Sequence, residues 1–119
     1  MRHKSKNLPL AELSVRQLRA RRRRFARQLE DAEVTLRGSL RAQGRRCGKE
    51  GCRCVEGELH GPYNYVSVRG EEGRRRLLYV PTDWVHAVRG CIERTEQMEA
   101  ALDEISCINL ELLTRRALE

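Results

Sequence analysis

Residues 14–36 read SVRQLRARRRRFARQLEDAEVTL, and the spacing of the apolar positions in this stretch sets the fold expected of the chain. Val15, Leu18, Arg22, Phe25, Leu29, Ala32 and Leu36 recur at alternating intervals of three and four, the pattern of a heptad seam. Ser14 stands where an N-cap belongs, with Gln17 three residues on as its capping-box partner. A helix over 15–36 follows; Gly38 and Ser39 weaken it, and at its longest it reaches 43. Further along, Val88, Cys91, Thr95, Met98, Leu102, Ile105, Asn109 and Leu112 form a second seam of the same kind. Thr82 or Pro81 opens that helix, and Asp83 in the first turn suits the helix dipole. The expected fold is therefore mainly α: an antiparallel two-helix coiled-coil hairpin with Leu29, Leu102 and Ile105 in its interface. Arg22, a charge on the seam, should loosen the pair unless Glu99 or Glu111 reaches it, and Asn109 would set register.

Between the seams lies a compact middle. Residues 44–61 contain Gly48, Gly51, Gly57 and Gly61 and read as a tight irregular loop. Residues 63–69 and 74–80 are β-rich runs on either side of Gly70-Glu71-Glu72-Gly73, which predicts a hairpin that Pro81 closes. The organisation expected is a basic, loose segment over 1–14 and one domain over 15–119, made of a helix (15–43), a metal knuckle (44–61), a β-hairpin (62–81) and a helix (82–119). Knuckle and hairpin would sit at the tip of the helical pair.

Composition agrees with extended, solvated helices. The 119 residues contain 34% charged and only 4% aromatic residues, which leaves few bulky groups for a large core. The net charge of +7 is unevenly placed: residues 1–49 hold fifteen Lys/Arg against four Asp/Glu, a net of +11, while residues 81–119 hold four against eight, a net of −4. Such segregation points one end of the chain at a polyanion, nucleic acid first and an anionic membrane surface second. No apolar run is long enough to span a bilayer and no signal-peptide core follows the basic start, so the cytoplasm is the expected compartment.

In that compartment clustered thiols read as metal ligands before disulfides. Cys47, Cys52, Cys54 and His60 fall within fourteen residues, and three thiolates with one imidazole make a closed tetrahedral set for structural zinc. Arg45, Arg46, Lys49 and Arg53 favour the thiolate form. The spacing is not that of a common zinc finger; His60 is the weakest ligand, and His3, His86 or a partner chain could replace it. A redox dithiol of Cys52 and Cys54, or three reduced cysteines with no metal, are the alternatives. Cys91 and Cys107, sixteen residues apart, have no local ligand partner and read as packing residues.

The segments Gly38-Ser39-Leu40, Arg46-Cys47-Gly48-Lys49, Gly51-Cys52-Arg53-Cys54, His60-Gly61-Pro62-Tyr63-Asn64-Tyr65 and Tyr79-Val80-Pro81 resemble a family of short uncharacterised bacterial and archaeal proteins, often found among mobile-element and transposase genes. The resemblance covers about residues 36–115. It implies two helices around the cysteine block and favours a DNA-linked role, with a transposase or recombinase as possible protein partner.

The candidate nucleic-acid contacts are Arg19, Arg21, Arg22, Arg23, Arg24 and Arg27 on the first helix, Arg45 and Arg46 beside the cysteines, and Arg74, Arg75 and Arg76 on the hairpin. Guanidinium groups suit bidentate contact with phosphate, and an arm without aromatics favours backbone contact of low sequence specificity, DNA being the expected partner. The competing reading pairs these arginines with the acidic second helix. Tyr63, Tyr65 and Tyr79 are expected to pack between hairpin and helices rather than stack on bases. Paired carboxylates at a pocket and a nucleophile elbow are both missing from the sequence, so a binding protein is expected rather than an enzyme. Its function is then either a zinc-stabilised nucleic-acid-binding accessory factor or a protein–protein adaptor that dimerises through the second helix.

Overall fold

The computed structural model describes residues 8–46, 51, 57 and 59–119. They form two compact units, one made of the chain up to residue 33 with residues 96–119, the other of residues 34–95. The expected coiled-coil hairpin does not form. In its place stand two helices of very different length, α1 (Val15–Ala26) and α2 (Val85–Thr114), and a three-stranded antiparallel sheet of β1 (Gly38–Arg45), β2 (His60–Arg69) and β3 (Arg75–Val80), in the order β1-β2-β3.

The first helix begins where its cap says it should. Ser14 Oγ accepts from the Gln17 amide at 3.1 Å, and Gln17 Oε1 accepts from the Ser14 amide at 2.8 Å. It ends ten residues before the seam does. After Ala26 the chain tightens into 3-10 turns at Arg27–Leu29 and Ala32–Val34, and residues 38–45, expected as helix up to 43 and knuckle from 44, become an edge strand. Two physical causes act there. Val34 and Thr35 are β-branched and lose rotamer freedom in a helix. Gly38 pairs with Val68, and a Cβ at Gly38 would lie 2.8 Å from both Ser67 O and Val68 Cγ1, so the residue that reads as a weak helical position is the one that lets two strands meet.

Leu36, the last position of the first seam, belongs to this sheet unit. Its amide donates to Thr95 Oγ1 at 2.7 Å, and its side chain packs with Leu40, Val68, Val85 and Val88 around the buried Val66, Val80 and Ile92. Leu36, Gly38 and Leu40 thus alternate onto the core side of a sheet, and the N-terminal part of α2 covers that side.

In the helical unit, Leu13, Leu18, Ile108 and Leu112 form the core, with Leu10, Val15, Phe25 and Ala117 packed against it. Leu10–Glu12, expected in a loose segment, is a 3-10 turn held by Arg115, which donates to Leu13 O (2.6 Å), Leu10 O (3.0 Å) and Ala11 O (3.2 Å) while pairing with Glu111 at 2.8 Å. The second helix closes with Arg116 at φ 59, and the Ala117 amide donates to Leu112 O at 2.8 Å, a Schellman-type end whose left-handed residue is not glycine.

The stripe that α2 buries is Ile92, Thr95, Met98, Ala101, Ile108 and Leu112. Against the expected seam it is displaced by one residue at three places: Ile92 for Cys91, Ala101 for Leu102, Ile108 for Asn109. Leu102 is 50% exposed and Ala101 1% exposed. Strict three-four counting takes Cys91 over Ile92 and Asn109 over Ile108, although isoleucine is the more apolar residue of each pair, and at 101 and 102 it is the small alanine that is buried.

Candidate nucleic-acid interface

The arginine run of α1 divides into two groups. Arg19 and Arg22 are engaged within the helical unit: Arg19 donates to Ala117 O at 3.1 Å, and Arg22 Nη1 donates to Asn109 Oδ1 at 2.7 Å and Leu118 O at 3.0 Å. Asn109 Oδ1 and a backbone carbonyl thus answer the seam charge, and Asn109 is an acceptor for Arg22 within the chain. Arg21 is half-buried. Arg23, Arg24 and Arg27 are exposed; Arg24 lies over the Phe25 ring at 5.8 Å, and Arg23 and Arg27 form no ion pair among the described residues. Arg19, Arg22 and Arg23 line a shallow recess of about 890 Å³ that also takes in Glu119.

A second set of arginines lies on the sheet. Strand register sorts side chains by parity: Leu40, Val66, Val68 and Val80 turn to the core, so Arg41, Tyr63, Tyr65, Ser67, Arg69, Arg75 and Tyr79 share the opposite face. A bulge between Gln43 and Arg45 brings Arg45 opposite His60, and Arg45 then lies against this face, its Nη1 donating to the Tyr65 hydroxyl at 2.9 Å and its guanidinium 5.8 Å from the ring centre. Gly61, at φ +102, makes the bulge possible, since a Cβ there would meet the Tyr63 amide at 2.7 Å. Tyr79 meets Tyr63 and Tyr65 edge-on, with centroids 6.3 and 5.9 Å apart. The three tyrosines, with Arg45, Arg46 and His60, enclose a recess of about 450 Å³. The tyrosines thus sit away from the α2-covered side rather than between hairpin and helix.

Parity also breaks up the Arg74-Arg75-Arg76 run. Arg75 joins the tyrosine face and donates to Ser67 Oγ at 3.2 Å. Arg76, paired with Val68, belongs to the other face, and Arg74 lies in the turn 3.9 Å from Glu72, both side chains exposed. Such a pair contributes little. Arg41 and Arg69 are not among the sequence candidates; the signal for both is a period of two, legible for Arg69 in the expected hairpin and for Arg41 only once residues 38–45 are taken as a strand.

Of the four proposed metal ligands, Cys47, Cys52 and Cys54 lie outside the described residues. His60 opens β2, half-buried, in the wall of the tyrosine recess. Among the described residues no group of three or more His, Cys, Asp or Glu side chains could hold a metal. Cys91 and Cys107 are free thiols, the first half-buried and the second exposed. No helix of the described residues is long and apolar enough to cross a membrane.

A family model described as a domain of unknown function (DUF6788) matches residues 15–90, and the chain belongs to that family. The match takes in α1, the whole sheet and the start of α2. No curated protein and no solved structure gives a match.

Proposed function

We propose that this member of the family is a zinc-stabilised nucleic-acid-binding accessory protein of the cytoplasm, which holds phosphates through arginine and catalyses no reaction. The observation that carries the reading is the exposure of Arg23, Arg24 and Arg27 on α1, within the first 49 residues, whose net charge is +11. Guanidiniums without carboxylates are the groups that release counterions on a phosphate backbone. The contact is expected to be largely independent of sequence, with DNA as the partner. The resemblance to proteins encoded among mobile elements makes a transposase or recombinase the protein it would assist.

Zinc fits the donor chemistry. Arg45 pairs with His60 across β1 and β2, and Cys47, Cys52 and Cys54 fall between those two residues in the sequence. Three thiolates and one imidazole would hold the ion as a structural clasp. The test is native purification followed by elemental analysis and a salt titration of duplex DNA binding. About one zinc per chain is expected, lost in Cys52→Ser. Affinity should fall steeply with salt, and the triple variant Arg23→Gln, Arg24→Gln, Arg27→Gln should reduce that slope. A metal-free protein removes the zinc; equal binding by the triple variant at every salt removes α1 as the contact surface.

One observation favours the adaptor reading as a second. Leu102, Leu110 and Leu113 are exposed along the C-terminal part of α2. A stable dimer in sedimentation, dissociated by Leu110→Ser and binding no nucleic acid, would put that reading first.

A further inference from the structure

The α1 arginines offer contact with phosphates and nothing else. The sheet face away from α2 offers a second chemistry. It carries aromatic rings and guanidiniums together, and none of its strand positions 39, 41, 43, 45, 63, 65, 67, 69, 75, 77 and 79 is acidic. Tyr79 is 55% and Tyr63 38% exposed although both rings flank a recess, while Tyr65 is only 6% exposed and forms part of its wall beneath Arg45.

Rings left half in water at the mouth of a concave site are suited to a flat ligand that stacks. The recess, at about 450 Å³, is in the size range of small-ligand sites and has room for a nucleobase. The cations beside it select the charge of what is attached to that base. A cationic ligand would be repelled by Arg45 and by Arg41, Arg69 and Arg75 on the same face; an anionic backbone would be drawn along them. A duplex keeps its bases stacked inside and cannot offer one to the rings, whereas a single strand can.

We propose that the recess between Tyr63, Tyr65 and Tyr79 is a stacking site for an unpaired base of a single-stranded nucleic acid, whose phosphates run along the arginines of the same sheet face. This rests on the nucleic-acid reading above and narrows it: the sheet unit reads single strands by stacking, and α1 contributes sequence-independent charge. Stacking on tyrosine is tolerant of base identity, so the site discriminates by strandedness more than by sequence.

The experiment uses the full chain and three probes: a labelled oligothymidylate, a duplex of equal length, and thymidine monophosphate as competitor. Tyr79→Ala should weaken oligothymidylate binding roughly 5- to 150-fold, the range for loss of one stacked base. Tyr79→Phe, which keeps the ring, should stay within about threefold of wild type. Duplex binding should be unchanged in both. Ultraviolet crosslinking of a bromouracil-substituted strand to the wild-type protein should map to the peptides holding Tyr63, Tyr65 or Tyr79, a readout that does not depend on any variant folding. Crosslinks confined to α1, or Tyr79→Ala binding the single strand like wild type, overturn the proposal. Monophosphate binding as tightly as the oligonucleotide also overturns it, in favour of a free-nucleotide site. Binding of duplex alone overturns the stacking site and leaves the nucleic-acid reading standing; binding of neither probe removes both.

Discussion

The arginines of α1 and those of the sheet are arranged in opposite ways. On α1 they adjoin one another in sequence and disperse in space, because consecutive residues step about 100° around a helix. Arg19 and Arg22 therefore reach Ala117, Asn109 and Leu118, Arg19 while still exposed, and Arg23 and Arg27 turn outward. On the sheet, Arg41, Arg45, Arg69 and Arg75 are scattered in sequence and gather on one face. A run of like charges in a sequence thus measures local composition. The surface charge a ligand meets depends on the period of the element that carries the run.

The largest effect that would test this division comes from Arg115, an arginine with a purely internal role. Its guanidinium reaches three backbone carbonyls and Glu111, with its side chain only 25% exposed. Arg115→Ala should lower the unfolding free energy by about 2–3 kcal/mol in urea denaturation, because carbonyls lose a charged donor that water replaces poorly. A change below about 0.5 kcal/mol would mean that Leu13 packing alone secures the N-terminal turn.

Next in size is Arg22→Leu. The heptad pattern predicts that this substitution stabilises the helical pair. The structure reverses the sign. Leucine would fill apolar space but strip Asn109 Oδ1 and Leu118 O of their donor, so a loss of about 1 kcal/mol is expected. Arg23→Gln, one residue away and exposed, should leave the melting temperature unchanged while weakening DNA binding. If both variants melt alike, the inward and outward groups of α1 arginines are not distinct.

Local chemistry was legible in the sequence wherever one signal acted alone. Ser14 and Gln17 fixed the start of α1, and the glycine-bounded turn fixed the β2–β3 hairpin. Residues 27–45 were misread because two signals competed. The three-four spacing of Leu29, Ala32 and Leu36 favours a helix; the β-branched Val34 and Thr35 and the alternation of Leu36, Gly38 and Leu40 favour a strand. Pairing with Val66 and Val68 decides between them, and that contact is some thirty residues away in the chain. The tyrosine face followed the same fate. Without β1 the tyrosines have no neighbour on one side, and Arg41 and Arg45 have no face to share with them.

The smallest expected effect concerns Arg116, which no ligand-binding argument uses. At φ 59 it occupies a left-handed conformation that costs a residue with a Cβ of the order of 1 kcal/mol. Arg116 nonetheless ends α2 with a Schellman-type turn, and the payoff is Ala117 packed against the Leu18–Ile108–Leu112 core. Glycine adopts this conformation without the steric penalty, although it also gives up entropy on folding. Arg116→Gly should therefore raise stability by about 0.5–1 kcal/mol, seen as a higher urea midpoint with unchanged slope. It also removes one positive charge, so it sharpens the division of arginines into internal and ligand-facing groups. A more stable protein that binds DNA as before places Arg116 with the internal group, whereas a stable protein with weakened, less salt-dependent binding extends the phosphate-contacting surface to the C-terminal end of α2.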